Sequence, residues 1–278
     1  MAYVGLADYY VVVPEYEPVR RTESGPKAIA AAQKALGIDD SLAEAHAALA
    51  SASEDLWDWP TVEREYKRAI ELNPGEVTAR IWYGLYLSNV NRGEEAVPQL
   101  KRATELDPLN MTAITNLAAA YSQMRQYDKA LEIFKQALEI DPNFANLHDN
   151  LGQMYEDMGK HDLTWQEHKK AALLADDQES VAVAEETLRA FAKGGKRAAL
   201  IRTIEMYKQL ARRRYVDSAC IAYDYAELGD KDQTFSWLEK AYSEKSGALN
   251  SVKGMKAMDP FRSDPRYIDL LRRMGLPR

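Results

Sequence analysis

The stretch MTAITNLAAAYSQMRQYDKALEIFKQALEIDPNF, residues 111–144, decides how the chain is read. Apolar residues recur three and four apart from Ile114 to Met124 and again from Tyr127 to Ile140, with the polar pair Arg125-Gln126 between them. That is the pattern of two amphipathic helices joined by a short turn. Asp141-Pro142 ends the second helix, because proline disfavours helical geometry in the residue before it. The pattern recurs every 34 residues. Ala35, Ala69, Ala103, Ala137 and Ala171 share one register, Ile38, Leu72, Leu106, Ile140 and Leu174 follow three positions later, and Pro74, Pro108 and Pro142 punctuate it. A second register pairs a large residue with a small one: Leu49-Ala50, Tyr83-Gly84, Leu117-Ala118 and Leu151-Gly152. The small member lets the second helix of the hairpin approach at Val62, Ala96 and Ala130, and the alanine register admits the next hairpin.

With Leu-Gly-x-x-Tyr at 151–155, Ala-x-x-x-Phe at 130–134, Ala137 and Pro142, the unit resembles the tetratricopeptide repeat family. The resemblance implies an all-α, right-handed superhelix, an α-α solenoid of about six helical hairpins plus a C-terminal capping helix, forming a single domain over 1–278. Four regular repeats are expected at 43–76, 77–110, 111–144 and 145–178. The last has Thr164, His168 and Asp176 where alanine, an aromatic residue and proline are usual, which is expected to loosen its second helix. Two degenerate repeats cover 179–248. In the first, Glu185 and Glu186 fall on the large-small pair. The second returns two residues late at 215, with Tyr225, Gly229, Leu238 and Ala241 in place. Residues 249–278 read as a linker and a capping helix near 264–274. Residues 1–42 read as a partial first repeat on Leu6, Ala7 and Tyr10, whose first helix would need residues before Met1. An Arg/Glu/Pro-rich insertion from Pro14 to Pro26 is expected to form an exposed loop. The ending DPFRSDPRY at 259–267, the Trp57-Asp58-Trp59 turn and the stretch 228–242 are similar to the carboxy-terminal arrays of bacterial multidomain regulators. There the array follows a kinase, a winged-helix domain or a cyclase. That likeness implies a severed or free-standing sensor and scaffold arm in bacterial signalling.

Composition bounds the function. Hydrophobic residues at 46% and charged residues at 28% suit a folded domain, and a lone cysteine, Cys220, excludes an internal disulfide or a Cys-rich zinc site. A net charge of -7 argues against a surface that binds polyanions throughout. No apolar run reaches the roughly 18 residues of a membrane span, and the first residues lack a signal-peptide pattern. No membrane insertion and a cytoplasmic location are therefore expected; an upstream spanning segment in a parent protein would instead make the array periplasmic or extracellular. Gly194-Gly195-Lys196 lacks the spacing and preceding strand of a phosphate-binding loop and reads as a helix-helix turn. His46, His148, His161 and His168 include no His-Glu-x-x-His pattern and read as surface residues, while adjacent acids on a helix do not face each other. No catalytic residue, metal ligand set or cofactor is expected. Two alternatives stay open: a metal-assisted helical hydrolase on His161 and His168, and a nucleic-acid binder on the basic stripe from Ala190 to Arg214. That stripe has a local balance of +7, and its plainer reading is a solvated face neutralised by Asp176, Asp177, Glu179, Glu185 and Glu186.

The family resemblance further implies a concave groove lined by the first helix of every hairpin. The register puts Trp82, Leu85, Asn89, Asn116, Asp149, Asn150, Gln153, Glu156 and Asp157 on it. Asn116 and Asn150 both donate and accept, which suits an extended backbone, and Trp82 suits an apolar anchor. The acids near the fourth repeat favour basic residues, and the lack of groove lysines argues against an acidic chaperone tail. The expectation is a non-catalytic protein-protein interaction scaffold taking a protein or peptide, with basic character, in its groove. These patterns do not encode the partner's identity or the oligomeric state.

Overall fold

The computed structural model describes residues 1–16 and 21–276, without the side chains of 14–16. All regular structure among them is helical, arranged as consecutive hairpins. An N-terminal pair, α1 (Ala2–Tyr16) and α2 (Arg21–Leu36), precedes the four regular hairpins: α3 (Ala43–Glu54) with α4 (Trp59–Leu72), α5 (Val77–Asn89) with α6 (Gly93–Leu106), α7 (Met111–Gln123) with α8 (Tyr127–Ile140), and α9 (Ala145–Asp157) with α10 (His161–Leu174). Then come α11 (Gln178–Leu210), α12 (Ser218–Glu227), α13 (Lys231–Ser243), two 3-10 turns (Gly247–Ser251 and Lys256–Phe261) and α14 (Pro265–Met274).

Small residues hold the stack together as the register requires. Ala103 and Ala137 are completely buried, as are Val62, Ala96 and Ala130 across from the large-small pairs. At Gly84 a Cβ would sit 2.5 Å from Leu100 Cγ, so only glycine lets α5 and α6 approach this closely. The expected weakness of the fourth repeat does not materialise. The Thr164 hydroxyl donates back to the Lys160 carbonyl, the His168 ring packs against Gly152, and α10 runs unbroken. His46 and His148, expected at the surface, are instead buried struts 102 residues apart. In each, Nδ1 meets a carboxylate of the hairpin's second helix (Glu65 at 2.5 Å, Glu167 at 2.7 Å) and Nε2 donates to a carbonyl in the preceding turn (Asp40 or Pro142).

The turn inside each hairpin has its own register. Trp57, Asn91, Arg125 and Gly159, each 34 residues after the last, all take left-handed backbone at φ of 62°, 65°, 61° and 75°. Gly195 and Gly229 continue the series, after one step of 36 residues and one of 34. The two-residue slip therefore occurs before Gly195, within 160–195, ahead of the return at 215 read from the sequence. Gly194-Gly195 forms the expected turn, folding α11 into two packed halves. Across them the hydroxyls of Thr187 and Thr203 lie 2.7 Å apart.

Both ends of the chain differ from expectation. The insertion at 14–26 is mostly helix: α1 extends to Tyr16 and α2 begins at Arg21, because the small, buried face Ser24, Gly25, Ala28 and Ala32 lets α2 lie against α3. Residues 17–20 lie outside the described residues. Helix α14 stands where a terminal helix was expected, but residues 249–276 do more than link and cap the last hairpin. Leu249, Val252, Met258 and Phe261 are buried with side chains of the regular repeats in one apolar core. The segment runs across the turns of those repeats. Trp57 Nε1 donates to Asn250 Oδ1 at 3.0 Å, Arg125 pairs with Asp259, the Lys256 ammonium donates to the Asp157 carbonyl, and Trp59 Nε1 donates to the Met274 carbonyl at 2.8 Å. The carboxy terminus thus closes onto the first regular repeat.

Overpacking should expose the stacking register. Gly84→Ala and Ala137→Leu are each expected to lower stability by about 1–3 kcal/mol, while Lys101→Leu on the exposed face of α6 changes it by less than ~0.5 kcal/mol. Chemical denaturation of the three variants checks this, and equal tolerance would break the register.

Candidate functional site

Two cavities open on the interior of the closed array. The first, about 920 Å³, lies between α1–α5 on one side and the segment from α10 to the first 3-10 turn on the other. Trp82, Leu85 and Asn89 line it. The second, about 460 Å³, lies between α9, α10, α11 and α12, with Met255 and Ala257 of the returning segment at one end; Asp149, Gln153, Glu156 and Asp157 line it. Asn116 and Asn150 line neither cavity. The Asn150 amide donates to the Asn146 carbonyl one turn back, and α7, which carries Asn116, contributes no residue to either wall. The expected groove residues that line these cavities therefore fall in two groups.

The first cavity combines apolar surface with paired charges. Arg21 faces Asp55 at 3.7 Å, Arg214 holds Asp177 at 2.8 Å and Glu179 at 3.4 Å, and the Lys245 ammonium sits 3.7 Å above the Trp57 ring. Burial opposes charge on Asp177, yet its bonds to Arg214 and Ser180 keep the carboxyl ionised down to about 2. The Tyr66 hydroxyl donates to Glu54 Oε1 at 2.8 Å. Burial raises Glu54 from 4.5 to about 8 even so, and Asp55 to about 6. The pairing of Arg214 with Asp177 and Glu179 follows the plainer reading of the basic stripe, whereas Arg21, Glu54 and Asp55 did not stand out in the sequence, since their roles depend on bringing α2 and α3 to one space.

The second cavity is acidic and partly open to solvent. Protein packed around its carboxyl groups disfavours their charged forms. Burial, then the neighbouring charge of Glu156, raises Asp157 to about 7, and burial likewise raises Glu156 and Asp224. Asp149 and His168 meet at 2.9 Å. Burial opposes both charges, but their mutual attraction prevails, lowering the Asp149 carboxyl and raising the imidazole. Cys220, expected as a buried or groove-lining thiol, opens into this cavity, and burial drives its thiol well above the ordinary range. Asp224 was missed, although the turn register carried a signal for it. Five residues before the left-handed turn residue of each regular repeat lie Ala52, Tyr86, Ala120 and Met154, all buried and none charged, and the half-buried Ala190 precedes Gly195; the same position before Gly229 is Asp224.

The remaining candidates are engaged elsewhere. On the basic stripe, Lys196 pairs with Glu227, Arg202 with Glu186, Arg213 with Glu179 and Arg214 with Asp177, while Lys208 lies over the rings of Tyr225 and Trp237. Among the described residues, no three histidine, cysteine or carboxylate side chains are placed to hold one metal ion, and no helix is long and apolar enough to cross a membrane.

Glu54 makes stability depend on pH in a defined direction. The folded chain keeps a proton that the unfolded chain loses near 4.5, so the associated stability is full below that pH and is lost as pH rises through about 8. Glu54→Gln should flatten the fall in melting temperature between pH 5 and pH 8 and raise the value at pH 8 by about 2–4 °C per kcal/mol recovered. Scanning calorimetry at the two pH values checks the sign.

With the geometry in place, known proteins supply a comparison. Tetratricopeptide repeat models match residues 112–144 and 133–166. No curated protein matches the chain. Among solved structures, PilW, described as a widely conserved type IV pilus biogenesis factor, is similar at a TM-score of 0.54 and 19% identity, over 91% of this chain and 97% of that one. The Pseudomonas aeruginosa protein pilF is similar at 0.50 and 20%, over 91% and 98%. TTC0263, a thermophilic protein of the same repeat class from Thermus thermophilus, is similar at 0.52 and 20%, over 58% and 89%. At such identities the likeness is one of fold. The chain carries tetratricopeptide repeats and is folded as an all-α solenoid of that class.

Proposed function

We propose that the protein is a non-catalytic interaction scaffold that takes a segment of a partner protein into its concave interior. The first cavity carries this reading: about 920 Å³ of interior space, framed by both ends of the array and offering Trp82 and Leu85 beside paired charges. Such a mixture suits a polypeptide, with an aromatic anchor for an apolar side chain and polar groups for the backbone around it. The acids of the second cavity favour a basic residue on the same segment. The likeness of the carboxy-terminal sequence to bacterial regulators supports a role as the sensor or scaffold arm of such a protein. Internal ion pairs at Lys196, Arg202, Arg213 and Arg214, half of the stripe's basic residues, weigh against nucleic acid as the partner.

Selection from a displayed library of random peptides, followed by calorimetry, tests the reading. Selected peptides should lose about tenfold or more in affinity on Trp82→Ala, whereas Asp149→Asn with Asp157→Asn should mainly reduce the salt sensitivity of binding. Binding that ignores these changes but falls when Lys193, Arg197 and Arg212, exposed and outside both cavities, are replaced would move the interface to the basic stripe.

A further inference from the structure

We propose that the second cavity is a socket for one organic cation, an alkylammonium or guanidinium group, seated against Asp224. This deepens the scaffold reading and rests on it for the source of the cation, a side chain of the partner. The anomaly at Asp224 is the starting point. In every regular repeat this slot is buried and uncharged, through Ala52, Tyr86, Ala120 and Met154; in α12 it holds a carboxylic acid. Asp224 is half-buried in the cavity wall, and its Oδ2 has neither solvent contact nor a hydrogen-bond partner among the described residues. A buried polar atom left this way costs about 1–3 kcal/mol, so an apolar residue would serve packing better.

Its surroundings sharpen the point. Asp224 faces the negative charges of Glu156 and Glu227, and the carboxyl groups of Glu156 and Asp157 also lack any hydrogen bond or ion pair among the described residues. The nearby cations are engaged elsewhere. Lys196 is bound to Glu227, His168 to Asp149, and the Lys256 ammonium to the Asp157 main-chain carbonyl rather than its carboxyl. Three carboxyl groups thus share one cavity with no described cation bound directly to them. They are not gathered as a metal-ligand cluster, which fits a charge carried by an organic group better than one bare ion. Tyr207 and Tyr223 present aromatic surface in the same wall, which stabilises ammonium and guanidinium groups. A volume of about 460 Å³ accepts a lysine or arginine side chain with part of its backbone.

Calorimetric titration of the full chain at pH 8 tests the socket. The probes are 1,5-diaminopentane, the blocked peptide acetyl-Ala-Ala-Lys-Ala-Ala-amide and its norleucine counterpart. We expect saturable one-to-one binding of at least one ammonium probe, none of the norleucine peptide, and a loss of about tenfold or more on Asp224→Asn but not on Asp162→Asn at the exposed start of α10. Glu156→Gln gives the same reading if Asp224→Asn fails to fold. Binding of the lysine peptide identifies a partner side chain as the source, and binding of the diamine alone identifies a free small cation. Either supports the socket, and the second does so even if the scaffold reading fails. Absence of saturable binding by both ammonium probes, or indifference to both acid substitutions, overturns the socket. A library-selected peptide that still depends on Trp82 would in that case leave the scaffold reading standing.

Discussion

Two indole N–H groups hold the architecture in its closed form. Trp57 and Trp59 donate hydrogen bonds to Asn250 and to the Met274 carbonyl, across 193 and 215 residues of sequence. Most other contacts in the molecule join neighbouring hairpins, the pattern of a quasi-one-dimensional solenoid. These two bonds and the apolar core beneath them convert that line into a loop with an inside. Both cavities exist because the returning segment shares their walls: Ala248 and Asn250 in the first, Met255 and Ala257 in the second. Closure also explains why Trp57 keeps left-handed backbone, a geometry unfavourable for a bulky side chain, since the ring is at once buried, hydrogen-bonded and covered by Lys245.

What sequence can show follows from the range of the interactions involved. Hairpin boundaries from α3 to α10 were legible because each depends on residues within one or two repeats: a small residue facing a large one, an Asp-Pro pair, a polar turn. The return of residues 249–276 was not legible, because nothing local to Leu249 or Met258 names the turns of repeats roughly 200 residues away as their partners. For the same reason the interior lining could be listed by register yet not divided. Trp82 and Asp149 do face inward, but they line different cavities, and Asn116 falls on the helix that serves neither cavity. Asp224 was legible in principle, given a register that admits a step of 36.

The interior is costly to maintain. Glu54, Asp55, Asp157 and Asp224 are acids held above their ordinary range by burial, in a chain whose stacking surfaces are otherwise alanine, leucine and tyrosine. Natural domains have only about 5–15 kcal/mol of net stability, so several such groups in one interior are a considerable load. Their concentration on cavity walls, away from the stacking faces between regular repeats, separates the part of the molecule that holds its shape from the part available for recognition.

Closure has an evolutionary corollary. Open solenoids lengthen and shorten readily, because a duplicated or deleted unit meets the same neighbours as before. Here an added or lost 34-residue unit would carry Asn250 and Met274 away from the indoles they meet, and the walls of both cavities would come apart. The lineage of this array is thereby held to a fixed number of repeats, and new specificity has to arise by substitution on the inner walls instead of by growth of the stack.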